Sequence, residues 1–299
     1  MKEQELIKSI QSVIGTNYLG DDCAYLKDIG IVVTQDSLSE GVHFKKEWYT
    51  PYELGYKSVA VNISDVLASG AKPVYVTIAL SLPDDIDISY IKNFYEGAQN
   101  ALYGAKIVGG DITGSSSGIV ISITAIGSTK DRKISSRKNA KPGYVVVVKG
   151  NHGSSAAGLN ELLCGRNNAE LIIAHKKPEL EEEFSKYIAQ NSSSEYAMMD
   201  TSDGLADALF KIAEASNVKI KIDYEKIPHL NCVSQNYVLF GGEDYKLVAS
   251  VPKELALQSG GTIIGEVFDY DGVRLDISGR EYNSYSELNT FDHFKNGSI

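Results

Sequence analysis

Six short acidic segments stand out in this sequence, each placing Asp or Glu beside Gly, Ser, Thr or Asn. They are Gly20-Asp21-Asp22, Thr34-Gln35-Asp36-Ser37, Asn62-Ile63-Ser64-Asp65, Gly109-Gly110-Asp111, Asp200-Thr201-Ser202-Asp203-Gly204 and Gly241-Gly242-Glu243-Asp244. Carboxylates on short turns can converge on one point. Hard oxygen ligands of that kind suit magnesium, which keeps several waters and commonly shares its shell with substrate phosphates. Taken singly, each segment has a plain structural reading, because Asp and Asn start turns and cap helices on their own account. Asp203, or Ser202 before it, could cap a helix, and Asp36 could start a turn. Their number, and the apolar strands that lead into them, favour a shared cation site over a set of unrelated caps.

Other chemistry has less support. No Gly is followed by Lys, which rules out the G-x-x-x-x-G-K-[ST] phosphate loop. H-E-x-x-H and the protein-kinase H-R-D are absent, and the five histidines are scattered. Cys23, Cys164 and Cys232 are widely spaced with no C-x-x-C pair, so neither a disulfide scaffold nor a structural zinc site is expected. A formal net charge of −10 argues against nucleic-acid binding, which rests mainly on Lys and Arg. An acidic chain that binds a nucleotide needs positive charge between its own carboxylates and the phosphates, and divalent cations supply it.

The elements that must position these groups follow from hydrophobic spacing. At 299 residues, 43% hydrophobic and 23% charged, the chain has the size of about two globular domains. No apolar run approaches the roughly 20 residues that cross a bilayer. Residues 1–11 mix charged and apolar types rather than forming a basic-then-apolar export signal, so a cytoplasmic location is expected. Helices are predicted over 3–14, with Leu6, Ile10, Val13 and Ile14 on one face, over 52–69 with Gly70 as stop, and over 88–103. Strands are predicted over 31–34 (ending at Asp36), 73–82, 107–110 (running into Asp111) and 118–127. A polar stretch around 138–143 contains Pro142-Gly143 and marks a domain boundary, dividing the chain into 1–138 and 139–299. Beyond it come strands over 144–148, 218–222, 245–251 and 262–267, and helices over 154–163, 179–190 and 203–216. The tail after 289 reads as irregular. Strands and helices mixed in this way give a fold of α/β or α+β type.

Taken in order, the segments resemble the thiamine-monophosphate kinase family, within a wider group that includes aminoimidazole ribonucleotide synthetase and selenophosphate synthetase. The resemblance is carried by Gly20-Asp21-Asp22-Cys23-Ala24, by Thr34-Gln35-Asp36 with Glu40-Gly41-Val42-His43-Phe44, and by the run from Gly55-Tyr56-Lys57-Ser58 to Asn62-Ile63-Ser64-Asp65. It continues through Ser69-Gly70-Ala71-Lys72-Pro73, Gly109-Gly110-Asp111, Asp200-Thr201-Ser202-Asp203-Gly204-Leu205 and Gly241-Gly242-Glu243-Asp244-Tyr245 to Phe291-Asp292-His293-Phe294. The E-G-V-H-F and D-H-F segments are those that separate the thiamine kinase from its relatives.

The resemblance implies a two-domain fold as in aminoimidazole ribonucleotide synthetase, with the N-terminal domain pairing in a homodimer through a strand-lined interface. It implies several magnesium ions held by Asp22, Thr34, Gln35, Asp36, Asp65, Asp111, Asp200 and Asp203. ATP, the co-substrate, would meet Gly110, Asp111, Arg137 and Ser202, and thiamine monophosphate would meet His43, Glu243 and Phe291. The implied reaction is direct phosphoryl transfer giving thiamine diphosphate and ADP, with no covalent intermediate. Arg137 lies in a basic run that could be only a solvated surface, His43 could be a satisfied imidazole, and Phe291 could anchor the tail. Two positions depart from the family. Gln35 stands where Thr, Ser or a small residue is usual, harmless if only its carbonyl binds and a lost contact if a hydroxyl is needed. Gly114 ends Asp111-Ile112-Thr113-Gly114 where the family often has Arg. The alternatives are a related ATP-dependent enzyme acting on another small phosphorylated acceptor, and a nucleotide- or metal-binding relative without catalysis. No Cys precedes Asp21, whereas the selenium enzyme is expected to carry a reactive one there.

Overall fold

The computed structural model describes residues 3–16 and 18–288; Phe291 lies outside them. The first half of the chain runs α1 (Glu3–Ile14), β1 (Ala24–Leu26), β2 (Ile31–Ser39), α2 (Pro51–Ala68), β3 (Lys72–Leu82), α3 (Ile88–Asn100), β4 (Lys106–Gly114) and β5 (Val120–Ser128). Its strands form a five-stranded sheet in the order β1-β2-β5-β3-β4, antiparallel except for β3 with β4. The second half runs β6 (Val145–Lys149), α4 (Ser154–Leu163), α5 (Ala169–Lys176), α6 (Glu182–Asn191), β7 (Ala197–Asp200), α7 (Leu205–Ser216) and β8 (Val218–Ile222). It continues with α8 (Gln235–Phe240), β9 (Leu247–Val251), α9 (Lys253–Gln258), β10 (Thr262–Asp269), β11 (Leu275–Ile277) and β12 (Arg280–Tyr282). These strands form a seven-stranded sheet in the order β12-β11-β8-β10-β6-β9-β7. The fold is therefore a mixed α/β one, as the spacing predicts, and its strands form two sheets.

Helix α2 starts where the sequence Thr50-Pro51-Tyr52-Glu53 supplies a reciprocal cap. Thr50 N–H donates to Glu53 Oε2 (2.8 Å), Glu53 N–H donates back to Thr50 Oγ1 (3.2 Å), and Pro51 sits where a missing N–H does no harm. The helix is buried on nearly all sides rather than along one stripe. One flank packs on β2, β3 and β5, the other on β7 and α6. Small residues allow this: a Cβ on Gly55 would lie 1.9 Å from Phe94 O, and one on Gly97 would lie 1.9 Å from Tyr52 O, so α2 and α3 meet backbone to backbone. Strand β6 shows the same two-sided burial, with Val145 and Val147 in the core shared with α2 and Val146 and Val148 in the core against α7 and α8.

Two strands extend further than the sequence predicts. Strand β2 continues to Ser39 because Leu38 re-enters the core in register with Ile121, so Asp36 lies within a strand and not on a turn. Strand β4 continues to Gly114, which places Asp111 mid-strand opposite Ala79. The sequence ends this strand at Gly110, yet a Cβ on Gly110 would lie 1.8 Å from Ile78 O, so glycine there permits close approach of β3. No helix among the described residues is long and apolar enough to cross a membrane.

Gly55→Ala should destabilise the chain by about 1–3 kcal/mol through overpacking of α2 on α3. Urea denaturation measures this, and an unchanged midpoint would show that the two helices can separate freely.

Candidate active site

Asp22, in the loop before β1, Asp65, in the last turn of α2, and Asp200, the last residue of β7, each offer a carboxylate oxygen within 4.8 Å of the others. Each is held by a neighbour. Thr34 Oγ1 donates to Asp65 Oδ2 (2.6 Å), Ser64 Oγ donates to Asp200 Oδ2 (2.6 Å), and Arg137 Nη2 donates to Asp22 Oδ1 (2.7 Å). Asp36 adjoins the group from β2, its backbone N–H donating to Asn62 Oδ1 (2.9 Å). In a helix of 3.6 residues per turn, Ser64 lies about 200° round from Asn62. Neighbouring positions on α2 thus reach opposite ways, Asn62 to the five-stranded sheet and Ser64 to the seven-stranded one.

The cost of this arrangement appears in protonation. Burial pushes the Asp65 carboxyl well above the usual carboxylate range, and Asp36, Asp200 and Asp22 push it further. Asp200 is pushed up to about 7, first by burial and then by Asp22, against the opposing pull of the Ser64 hydroxyl and the Ser202 amide. Buried carboxylates in mutual contact carry protons or bind cations. Hard oxygen donors without sulfur or imidazole suit magnesium, manganese or calcium rather than zinc or copper.

Beside the cluster opens a cavity of about 730 Å³. Asp36, Asp65, Ser202, Asp203, His43, Glu243 and Tyr245 line it, and Leu6, Ile7 and Ile10 of α1 contribute an apolar wall. Glu243 Oε1 pairs with Lys57 Nζ at 3.1 Å, and Oε2 lies 3.5 Å from His175 Nδ1. Burial lowers His175 to about 3, so it is neutral and Lys57 supplies the positive charge at this end. Lys57, His175 and the α1 side chains carry no role in the motif reading. A Lys set inside the small and apolar run of α2 is the signal that could have marked the first of them.

Of the residues expected at the site, the structure brings together Asp22, Thr34, Asp36, Asp65, Asp200, Arg137, Ser202, Asp203, His43 and Glu243. Arg137 is tied to Asp22, and Asp203 Oδ2 is tied to Lys211 Nζ at 3.0 Å. The Gln35 side chain lies on the other face of β2, donating to Ser122 Oγ (3.1 Å) and accepting from Thr124 Oγ1 (3.3 Å), which leaves only its carbonyl for a cation. Gly110 and Asp111 are not brought to the cluster within this chain. Gly110 aligns with Asp36 through Ile78 and Ile123, three strands away, roughly 14 Å at about 4.8 Å per strand. Residues 114–118 spell G-x-S-x-G but join two strands, not the strand and helix of a nucleophile elbow.

The two-sheet fold and the shared carboxylate site define a class. The family described as AIR synthase related protein, N-terminal domain, matches residues 20–129. Across nearly the whole length, the chain is 36% identical to a thiamine-monophosphate kinase of Aquifex aeolicus (91% of this chain, 93% of the relative). It is 34% identical to that of Bacillus subtilis (93% of each). A solved structure of AaThiL complexed with AMPPCP and TMP superposes with a TM-score of 0.88 at 34% identity, covering 98% of this chain and 97% of that one. The chain belongs to the thiamine-monophosphate kinase family.

The raised carboxyls have a testable consequence. In the unfolded chain an Asp titrates near 3.8, while Asp200 in the fold titrates near 7. Between these values the metal-free fold holds more protons than the unfolded chain, so the contribution is full below about pH 4 and is lost as pH rises through about 7. Without divalent cations, Tm should therefore fall between about pH 5.5 and pH 8, and magnesium should raise Tm more at the higher pH. A thermal-shift series gives the answer, and a magnesium shift independent of pH would contradict it.

Proposed function

We propose that this chain catalyses ATP-dependent phosphorylation of thiamine monophosphate to thiamine diphosphate, with ATP and several magnesium ions in the cleft. The observation that carries the reading is the meeting of Asp22, Asp65 and Asp200, drawn from distant parts of the sequence, beside a cavity lined by Asp65, Glu243 and His43. A family member of known structure binds AMPPCP and TMP.

The acceptor is a phosphate monoester with a second pKa of about 6, so its oxygen is largely deprotonated at neutral pH and no general base is needed. The obstacle is bringing two anions together, since like charges at about 4 Å repel by roughly 4 kcal/mol at an effective dielectric of about 20. Magnesium, when bound, supplies the positive charge that offsets this repulsion. Asp22, Asp36, Asp65 and Asp200 would hold it, and Asp203 would join after parting from Lys211. Thr34 and Ser64 fix two of the carboxylates, and Ser202 and Arg137 stand where the nucleotide would enter. His43 accepts the Ser39 amide on Nδ1 (3.0 Å), which fixes its ring at the wall of the cavity. The apolar wall of α1 would exclude water from the ring end of the acceptor.

A homodimer belongs to the same reading. Strand β4 is an edge strand whose Val108 and Ile112 are 57% and 62% exposed, and pairing of two copies along it would cover them. Gly110 and Asp111 would then reach the nucleotide from that edge. The division at residues 138 and 139 falls in the segment between the two sheets. A cytoplasmic location follows from the need for ATP.

Coupled ADP release with thiamine monophosphate, ATP and magnesium tests the activity. Asp65→Asn should lower kcat by at least about 100-fold with an unchanged fold, because it removes one of three mutually close ligands. Near-normal turnover of that variant at limiting magnesium would contradict the role of Asp65. Turnover on a different phosphorylated acceptor, or nucleotide binding with no turnover, would replace the thiamine assignment.

A further inference from the structure

Lys57 has no exposed side-chain surface, while Glu243, which it pairs with, is 28% exposed and lines the cavity. Lysine is seldom buried without a partner, and this one has two: Glu243 Oε1 at 3.1 Å and the Tyr49 hydroxyl at 3.1 Å, with the Tyr49 ring centred 5.5 Å from the ammonium. Glu243 is also fixed through its backbone. Its φ is +64°, in the left-handed region, and its N–H donates to Ser202 O at 2.7 Å. The next residue, Asp244, accepts the amides of Gly153 and Ser155, so the loop is pinned on both sides. Left-handed backbone at a non-glycine residue persists where the surroundings over-determine it.

We propose that Lys57 is a positioning residue for the acceptor: from inside α2 it holds the Glu243 carboxylate against the cavity as a fixed anionic hydrogen-bond acceptor. The ligand end that fits is a nitrogen heterocycle presenting N–H donors or a positively charged ring, and the phosphate end lies toward the carboxylate cluster. This deepens the kinase reading and rests on it. Lys57 cannot touch the ligand, so its effect runs through Glu243. His175, neutral, shares a hydrogen bond with Ser155 Oγ through Nδ1 (3.0 Å), the same nitrogen lying 3.5 Å from Glu243 Oε2, and contributes shape rather than charge.

Steady-state kinetics of Lys57→Met, Glu243→Gln and the double variant test this. Lys57→Met should raise KM for thiamine monophosphate by about ten-fold or more while KM for ATP stays within about two-fold. The double variant should be no worse than Glu243→Gln alone, since both changes remove one contact. Should Lys57→Met fail to melt cooperatively, the double variant, which buries no unpaired charge, carries the test by the same comparison. An unchanged KM for thiamine monophosphate in folded Lys57→Met, multiplicative losses in the double variant, or an equal rise in KM for ATP would overturn the clamp alone. Wild-type protein that fails to phosphorylate thiamine monophosphate would instead overturn the kinase reading and the clamp with it.

Discussion

Carboxylate oxygens of Asp22, Asp65 and Asp200 within 4.8 Å of one another, two of them raised by burial and repulsion, are unstable as bare anions. The fold brings them together regardless, and the surrounding structure answers that repulsion. Thr34, Ser64 and Arg137 each hold one carboxylate in place. What the protein leaves unbalanced is the net negative charge, and divalent cations held by these carboxylates would balance it. A single constraint thus links an acidic chain to anionic substrates.

Helix α2 is the part that makes the constraint workable. It lies between the two sheets and carries Lys57, Asn62, Ser64 and Asp65, so one rigid element sets both ends of the cavity. Its small residues are required for this. Gly55 lets the helix meet α3 backbone to backbone, and nine residues on the Ser64 hydroxyl meets Asp200 at the end of β7.

Much of this was legible in the sequence. Apolar spacing gives α1, α2, α3, β3, β5, α4 and β8 close to their observed bounds, because each has a clear buried face or strong flanking signals. The short elements β1, α5, β7, α8, α9, β11 and β12 are not marked, since three to eight residues carry too little periodicity. Ordered motifs named Asp22, Asp36, Asp65 and Asp200 correctly as neighbours but misplaced the cause. Asp36 and Asp111 sit inside strands, as register and close backbone approach dictate, and local turn chemistry does not reveal that. Lys57 and Ser64 were visible as letters in the motifs. Their roles depend on partners at Glu243 and Asp200, 186 and 136 positions away, which spacing along one chain cannot supply.

The central claim is that these aspartates share cations. Anomalous scattering from crystals grown with manganese, in the presence of a non-hydrolysable ATP analogue, locates such ions directly. Peaks are expected between Asp22, Asp65 and Asp200, within about 2.0–2.6 Å of their oxygens. Manganese bound elsewhere, with that cluster empty and its carboxyls still protonated, would contradict it.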